Sequence, residues 1–508
     1  MRNRFAHIVK QATLACIALL AMAASAAAVE DAVDTAWRQK LREFKASLST
    51  ELPPASVTAR QLIEQAGFAS VTRQTALPMT AAMTVAPAMT DPVTAKLMDM
   101  RLALALVSQM YGAKDNYDVL YAQKNPSYQA LVFESGEVTV DAIFKELAAQ
   151  GLQTDGGDGR GMLRVPVIIW GKASLRMTPG EKLLLSRDDG VFLMNFGPAD
   201  LDGVEIRAVG NVNPGAPDFV PFFTNAGGAA IKVRNSEFVG LGFGGEMKFS
   251  GFSLVRNPML VRKDEVIIEN NTFIDIVSIA IGMADNALIR NNRIHDNRGA
   301  SMIVTHSSNV HIVGNLISGK APTNAIRLLQ GSTRAVIEGN VILGGDRAGI
   351  AVRNDSDRVA IRNNVVWDRG GAGISASNFE CGVIDGNLVI DSRQKGIEVR
   401  TARKVVVRNN TVIANRSAGI WVTAQIKDEP TLLENNVLIA NGSGIASTTG
   451  ERLVLTGNDF TRQFPQFVSG DLARLGRNVA ENLVGQTTMV LTGAGMVDIP
   501  MPDMACPN

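Results

Sequence analysis

Along the second half of the chain, short apolar runs rich in Val and Ile alternate with polar corners, as in EVIIENNTFIDI, RAVIEGNVILGG, KVVVRNNTVIAN and TLLENNVLIANG. An asparagine stands ahead of one such run at Asn271, Asn292, Asn315, Asn340, Asn364, Asn387, Asn410, Asn436 and Asn458, so the unit recurs every 21 to 26 residues. A Gly-Ile step recurs at Gly349-Ile350, Gly373-Ile374, Gly396-Ile397, Gly419-Ile420 and Gly444-Ile445. Three short strands per unit fit this pattern. A strand-built repeat of this length predicts a solenoid whose turns bury one another's faces. The leucine-rich consensus is missing, so the expected fold is all-β, a right-handed parallel β-helix. Asparagines stacked at one corner would each bond the next turn and satisfy backbone groups that a sharp bend leaves unpaired.

The pattern also sets boundaries. MLRVPVIIWGKASLRMTPGEKLLLSRDDGVFLMN reads as earlier turns without the asparagine, which puts the solenoid at 163–460. Before it, 136–162 holds a capping helix, VDAIFKELAAQG, with Val140, Ile143, Phe144 and Leu147 on one face. WRQKLREFKASLSTEL and VTAKLMDMRLALALVSQMYG look helical and flank the linker TALPMTAAMTVAPAMTDP, making 29–135 a helical accessory segment. Residues 461–508 have lost the repeat and read as a cap with a loose tail. At the other end, Arg2, Arg4 and Lys10 precede an apolar run from Ala12 to Ala24, so 1–28 reads as a signal peptide. Cys16 sits too early in that run for a lipidation site. No later stretch is long and apolar enough to span a membrane, and the mature chain is expected in the periplasm or secreted.

Composition narrows the function. With 50 Lys and Arg against 49 Asp and Glu, the net charge of +1 gives no bulk attraction to nucleic acid or to an acidic polymer, so any recognition of charge is local. After the signal only Cys381 and Cys506 remain; a single bridge between them is one reading, but their wide separation favours two free thiols, one in a strand and one in the tail. His295 and His311 have no partner at metal-ligand spacing, and there is no phosphate loop or nucleophile elbow. No metal or cofactor is expected.

Strand alternation places candidate chemistry on one face. In the Gly-Ile strand Ile350 and Val352 point inward, and Ala351 and Arg353 outward. Carried from turn to turn, this gives an outward column of Ala280, Gly282, Ile303, Thr305, Arg327, Leu329, Ala351, Arg353, Ser375, Ser377, Glu398, Arg400, Trp421 and Thr423. Arginine forks match carboxylates and an exposed indole stacks on a sugar ring. The column therefore suits an acidic polysaccharide, with Ser375, Glu398, Arg400 and Trp421 as binding residues. Asp346, Arg347, Arg393 and Lys395 occupy turns and read as surface charge.

The block KASLRMTPGEKLLLSRDDGVFLMN, continued by DFVPFFTNAGGAAIKVRNSEFVGLGF and the repeats to about Asn436, resembles the periplasmic mannuronan C-5 epimerases of alginate-producing bacteria. That resemblance covers somewhat over half of the chain. It implies abstraction of the C-5 proton of a uronate and its return to the opposite face. The family's Asp-Pro-His motif is replaced here by Ile303, Val304 and Thr305, followed by His306, and its next-turn arginine falls at Gln330, three residues after Arg327. The chemistry needs a carboxylate neutraliser, for which Arg327 or Arg353 is the candidate, and a base, for which His306 has a suitable pKa range. Strand parity sends Thr305 rather than His306 outward, unless the turn bends the histidine back. If the proton leaves with the 4-linked sugar, the same groups make a lyase. A protein that only binds or guides polymer, as a monomer or within an exopolysaccharide export assembly, is the other reading. Hydrolysis ranks last, since only Glu398 among carboxylates stands in the column.

Overall fold

The computed structural model describes residues 39–52, 57, 59–65, 90–152, 156–256, 265–448, 451–492, 495–497, 503–504 and 506. The expected signal peptide and most of the linker lie outside them. Two compact units divide at Pro53. In the first, residues 39–50 are helical. All that follows concerns the second.

It is a parallel β-solenoid of about 13 turns. Each turn contributes one strand to each of three sheets, for example Ile350–Val352, Ala360–Arg362 and Val365–Trp367. We call these the groove sheet, the back sheet and the third sheet. All three stack in parallel register, as in Ile350 on Ile374, Ala360 on Val383 and Val365 on Leu388. Inward Ile, Val and Leu side chains of every turn form one continuous core. In the early turns, where the asparagine is missing, Phe238 stacks between Phe223 and Phe273 within it.

The corner between the back and third sheets is built from residue pairs. Asn270, Asn291, Gly314, Gly339, Asn363, Gly386, Asn409, Asn435 and Gly457 all have a left-handed backbone, a conformation that Gly and Asn tolerate best. The asparagine after each is buried and joins the column. Asn364 donates from Nδ2 to the Ile337 carbonyl at 2.9 Å and to Asn387 Oδ1 at 2.9 Å, and its own Oδ1 accepts from the Asn340 amide at 2.9 Å. Ser236 extends the column one turn upstream, its amide donating to Asn271 Oδ1 at 3.0 Å.

Outward residues of the back sheet alternate in charge across the same register: Asp202, Arg234, Glu269 and Arg290, then Glu338, Arg362, Asp385, Arg408 and Glu434. Arg290 meets Glu269 at 2.8 Å and Arg408 meets Asp385 at 3.0 Å. From Arg362 onward, shifting a turn by two residues would set these charges against apolar neighbours such as Ala360, Val383, Val406 and Leu432.

Several boundaries differ from expectation. The parallel ladder starts at Gln129–Val138, which pairs with both Val167–Ile169 and Ala173–Met177, and not near Leu163. The stretch expected to be helical from Val93 forms a strand, Thr94–Asp99, antiparallel to Gln129–Val138. The helix starts only at Arg101, whose amide the Asp99 carboxylate accepts at 2.9 Å. Helix Val140–Ala149 buries Val140, Ile143, Phe144 and Leu147 against the first turns. At the far end Val468–Gly470 still pairs in the groove sheet. Met489–Thr492 then joins the back sheet antiparallel to Leu453–Thr456. Val490, Val497 and Met504 cover the outward apolar residues Leu432 and Val454.

The tail is held there. Cys381 and Cys506 form a disulfide, with Cα atoms 5.8 Å apart, so the less favoured of the two readings, a single bridge, holds and the two free thiols do not. A separation of 125 residues says nothing about distance once the chain doubles back. No helix among the described residues is long and apolar enough to cross a membrane.

Candidate functional site

Pairing in the groove sheet puts Ile303, Arg327, Ala351, Ser375, Glu398 and Trp421 in one outward column. Thr305 lies beside Leu329 in a second, which continues through Ser377, Arg400 and Thr423. Arg353 follows directly after the strand Ile350–Val352 and reaches to the next turn. Its guanidinium donates to Ser377 Oγ at 3.2 Å and to Ser375 Oγ at 3.3 Å. Ser375 Oγ in turn donates to Glu398 Oε2 at 2.9 Å, and Glu398 Oε1 accepts from Lys395 Nζ at 3.3 Å. The Lys395 ammonium lies 3.8 Å from the centre of the Trp421 ring.

This network corrects two expectations. Trp421 is half-buried with a lysine over its ring, so that face is engaged by a cation and not open to a sugar. Lys395 and Glu398 are both largely buried and form an ion pair, so Lys395 is part of the site and not surface charge. Asp346 and Arg347 were likewise read as solvated turn residues. They line a cleft of about 620 Å³ together with Asn324, Arg353, Ser375, Gln394 and Glu398. The cleft thus holds two carboxylates, Asp346 and Glu398, where strand parity found only one.

Its walls are loops that enter the groove sheet, and they are held from beneath by Arg369. This side chain is fully buried. Nε donates to the Arg347 carbonyl at 2.8 Å, and Nη2 donates to those of Thr323 at 2.8 Å and Ala348 at 3.1 Å. Nη1 donates to the Gly344 carbonyl. Burial lowers its pKa to about 10, so it remains charged at neutral pH. Gly345 packs against the guanidinium at φ 115°, where any side chain would be both strained and obstructed. Downstream turns place Asn415 and Asn441 at this same corner, bonded to each other at 2.9 Å. Arg369 is the long-armed exception.

Three groups stand apart from the network. Arg327 is half-buried, and its Nε has no hydrogen-bond partner among the described residues. Burial, and after it the positive charge of Arg353, lower its pKa. Arg400 is exposed. His306 is exposed too, with φ 50° and its amide donating to the Gln330 carbonyl at 3.1 Å. The left-handed bend breaks the strand alternation, which is how an imidazole that follows the outward Thr305 still reaches solvent. His311 is on the back sheet, where burial lowers its pKa. Among the described residues no group of three or more His, Cys, Asp or Glu side chains is placed to hold a metal.

Comparison with known proteins places the architecture. No curated protein matches the sequence. Among solved structures, the periplasmic alginate epimerase AlgG is similar over 78% of this chain and 99% of its own, at 17% identity and a TM-score of 0.64, which shows a shared fold. The A-module of the Azotobacter vinelandii mannuronan C-5 epimerase AlgE6 covers 64% of this chain and 96% of its own, at 14% identity and a TM-score of 0.43. An α-1,3-glucanase catalytic unit from Streptomyces thermodiastaticus covers 66% and 67%, at 12% identity and a TM-score of 0.38. The sequence matches the right-handed β-helix region family over residues 223–366 and again over 324–480. These spans take in just over half of the chain, which belongs to that family.

Proposed function

We propose that the protein is exported and acts on an acidic, uronate-containing polysaccharide, removing the C-5 proton in the manner of an epimerase. The observation that carries this reading is the pair Arg327 and Arg353: two neighbouring cations on the groove sheet, with no carboxylate paired to Arg327 among the described residues. A uronate carboxylate between them would relieve their repulsion. His306 is the base. Its backbone meets Gln330, three residues from Arg327, so the two lie roughly 10 Å apart along the strand, a gap that admits one sugar ring. Abstraction α to a carboxylate needs its charge neutralised on the same ring that the base attacks. Return of the proton to the opposite face gives epimerisation. Departure of the 4-linked sugar in the same step gives a lyase.

A second reading, a non-catalytic binder or guide of such polymers within an export assembly, draws support from the Arg353, Ser375, Glu398, Lys395 and Trp421 network. From Arg353 through Ser375 and Glu398 to Lys395 its side chains are already joined by hydrogen bonds, which fixes them as a binding surface. One experiment separates these. Purified protein is incubated in deuterated buffer with polymannuronate, polygalacturonate and polyglucuronate, and C-5 deuterium, unsaturated ends and binding are measured. The enzyme reading expects deuterium or unsaturation that His306→Gln abolishes, with binding changed less than about threefold. Arg353→Ala should weaken binding about tenfold or more at an unchanged melting temperature. Binding with no turnover by the parent protein leaves the guide. No binding to any of the three sinks both.

A further inference from the structure

The outward face of the groove sheet is not open along its whole length. In the early turns Val132, Ile168, Met194, Thr224, Ser253 and Ala280 are all buried. Helix Arg101–Tyr111 and the short turn Met247–Phe249 cover them with a second apolar core that includes Leu104, Val107, Phe222 and Phe249. On the next two turns Ile303 and Arg327 are half-exposed; Ala351 and Ser375 beyond them are small and buried, while Arg400 and Thr448 further on are exposed.

The boundary between the two regimes is a built wall. Thr224 Oγ1 donates to the Lys248 carbonyl and Ser253 Oγ to the Met247 carbonyl at 2.6 Å, so the outward hydroxyls of the sheet itself anchor the turn. Lys248 is fully buried, donates from Nζ to the Gly112 carbonyl, and lies 4.9 Å from the Phe249 ring. The Met247 sulfur accepts from Thr305 Oγ1 at 3.5 Å, which leaves Thr305 buried although it points outward. Beside it Tyr111 donates to the Arg256 carbonyl at 3.0 Å. The same hydroxyl would stand 2.5 Å from a Cβ at Gly282, so only glycine fits under it.

We infer that the groove is blind at this end and receives the terminus of a glycan chain, not its interior. This rests on the polyuronate reading above. A chain lying along the solenoid axis advances about 4.8 Å per turn and meets the Met247 wall one turn before Arg327. Its last sugar therefore sits at His306 and Arg327, and the sugars behind it run toward Arg353 and Arg400 over roughly 14 Å. An interior segment has no way past Tyr111 and Met247. Chemistry at the blind end changes terminal residues only.

The test uses 4-linked hexamers of mannuronate and of galacturonate, each untagged or carrying a biotin with bound streptavidin at one end or the other. The tag at the end that enters should cost at least about tenfold in affinity, and the tag at the trailing end less than about twofold. Met247→Ala, at an unchanged melting temperature, should recover part of the lost affinity by lowering the wall. Equal binding of both tagged forms overturns the inference and leaves the polyuronate reading intact. Failure of every untagged hexamer to bind overturns that reading, and the inference with it.

Discussion

At the corner between the back and third sheets two adjacent residues meet different demands. The first only has to adopt a left-handed backbone, and Asn435 does so with its side chain in solvent. The second has to fill a buried polar slot. Asn364 supplies two donors and one acceptor to groups that water does not reach. Asn364→Ala therefore leaves both the Ile337 carbonyl and the Asn340 amide short of a partner, at about 1 to 3 kcal/mol for each. Asn435→Gly should cost less than about 0.5 kcal/mol, since Gly accepts the same backbone. Chemical denaturation of the two variants measures the contrast, and equal losses would mean that the column contributes nothing of its own. His306 owes its exposure to the same device, a left-handed residue at a strand end.

Among the elements, the loops entering the groove sheet depend most on a single residue. Arg369→Met would remove a donor from four carbonyls, of which Ala348 alone keeps another in the Ala325 amide, and leave the walls of the cleft unsupported. We expect a loss on the order of 3 kcal/mol by denaturation, together with loss of uronate binding at the cleft. Stability and binding falling apart from one another would show that the loops hold their shape without it. Arg369 was illegible in the sequence because a single arginine in a polar turn looks like any solvated charge. The asparagine column and the groove columns were legible because a period of two within strands and a repeat near 23 between them leave few registers open. The strands at Thr94–Asp99 and Gln129–Val138 escaped notice, since they carry no corner marker and the first lies in an apolar stretch that also suits a helix. Lys395 was misjudged for a different reason: its partner Glu398 is three residues away, but the ring it covers belongs to the next turn.

On the scale of the whole molecule, the C-terminal segment is a strap laid over the back sheet and fastened at Cys381. Closing a loop of 125 residues restricts the unfolded chain by about 4 to 5 kcal/mol. Cys381→Ser should lower the unfolding free energy by that order, and reductant should do the same to the parent protein but nothing more to the variant. An unaltered denaturation midpoint in both cases would mean that the strap holds by apolar contact alone. The fastening also changes how the solenoid bears load. Under tension a solenoid with only nearest-neighbour contacts gives way turn by turn from its free end. A covalent link from residue 381 to residue 506 carries the pull past everything between them. Those turns become a shielded block whose length, about 430 Å of extended chain, is paid out only after the bond is reduced.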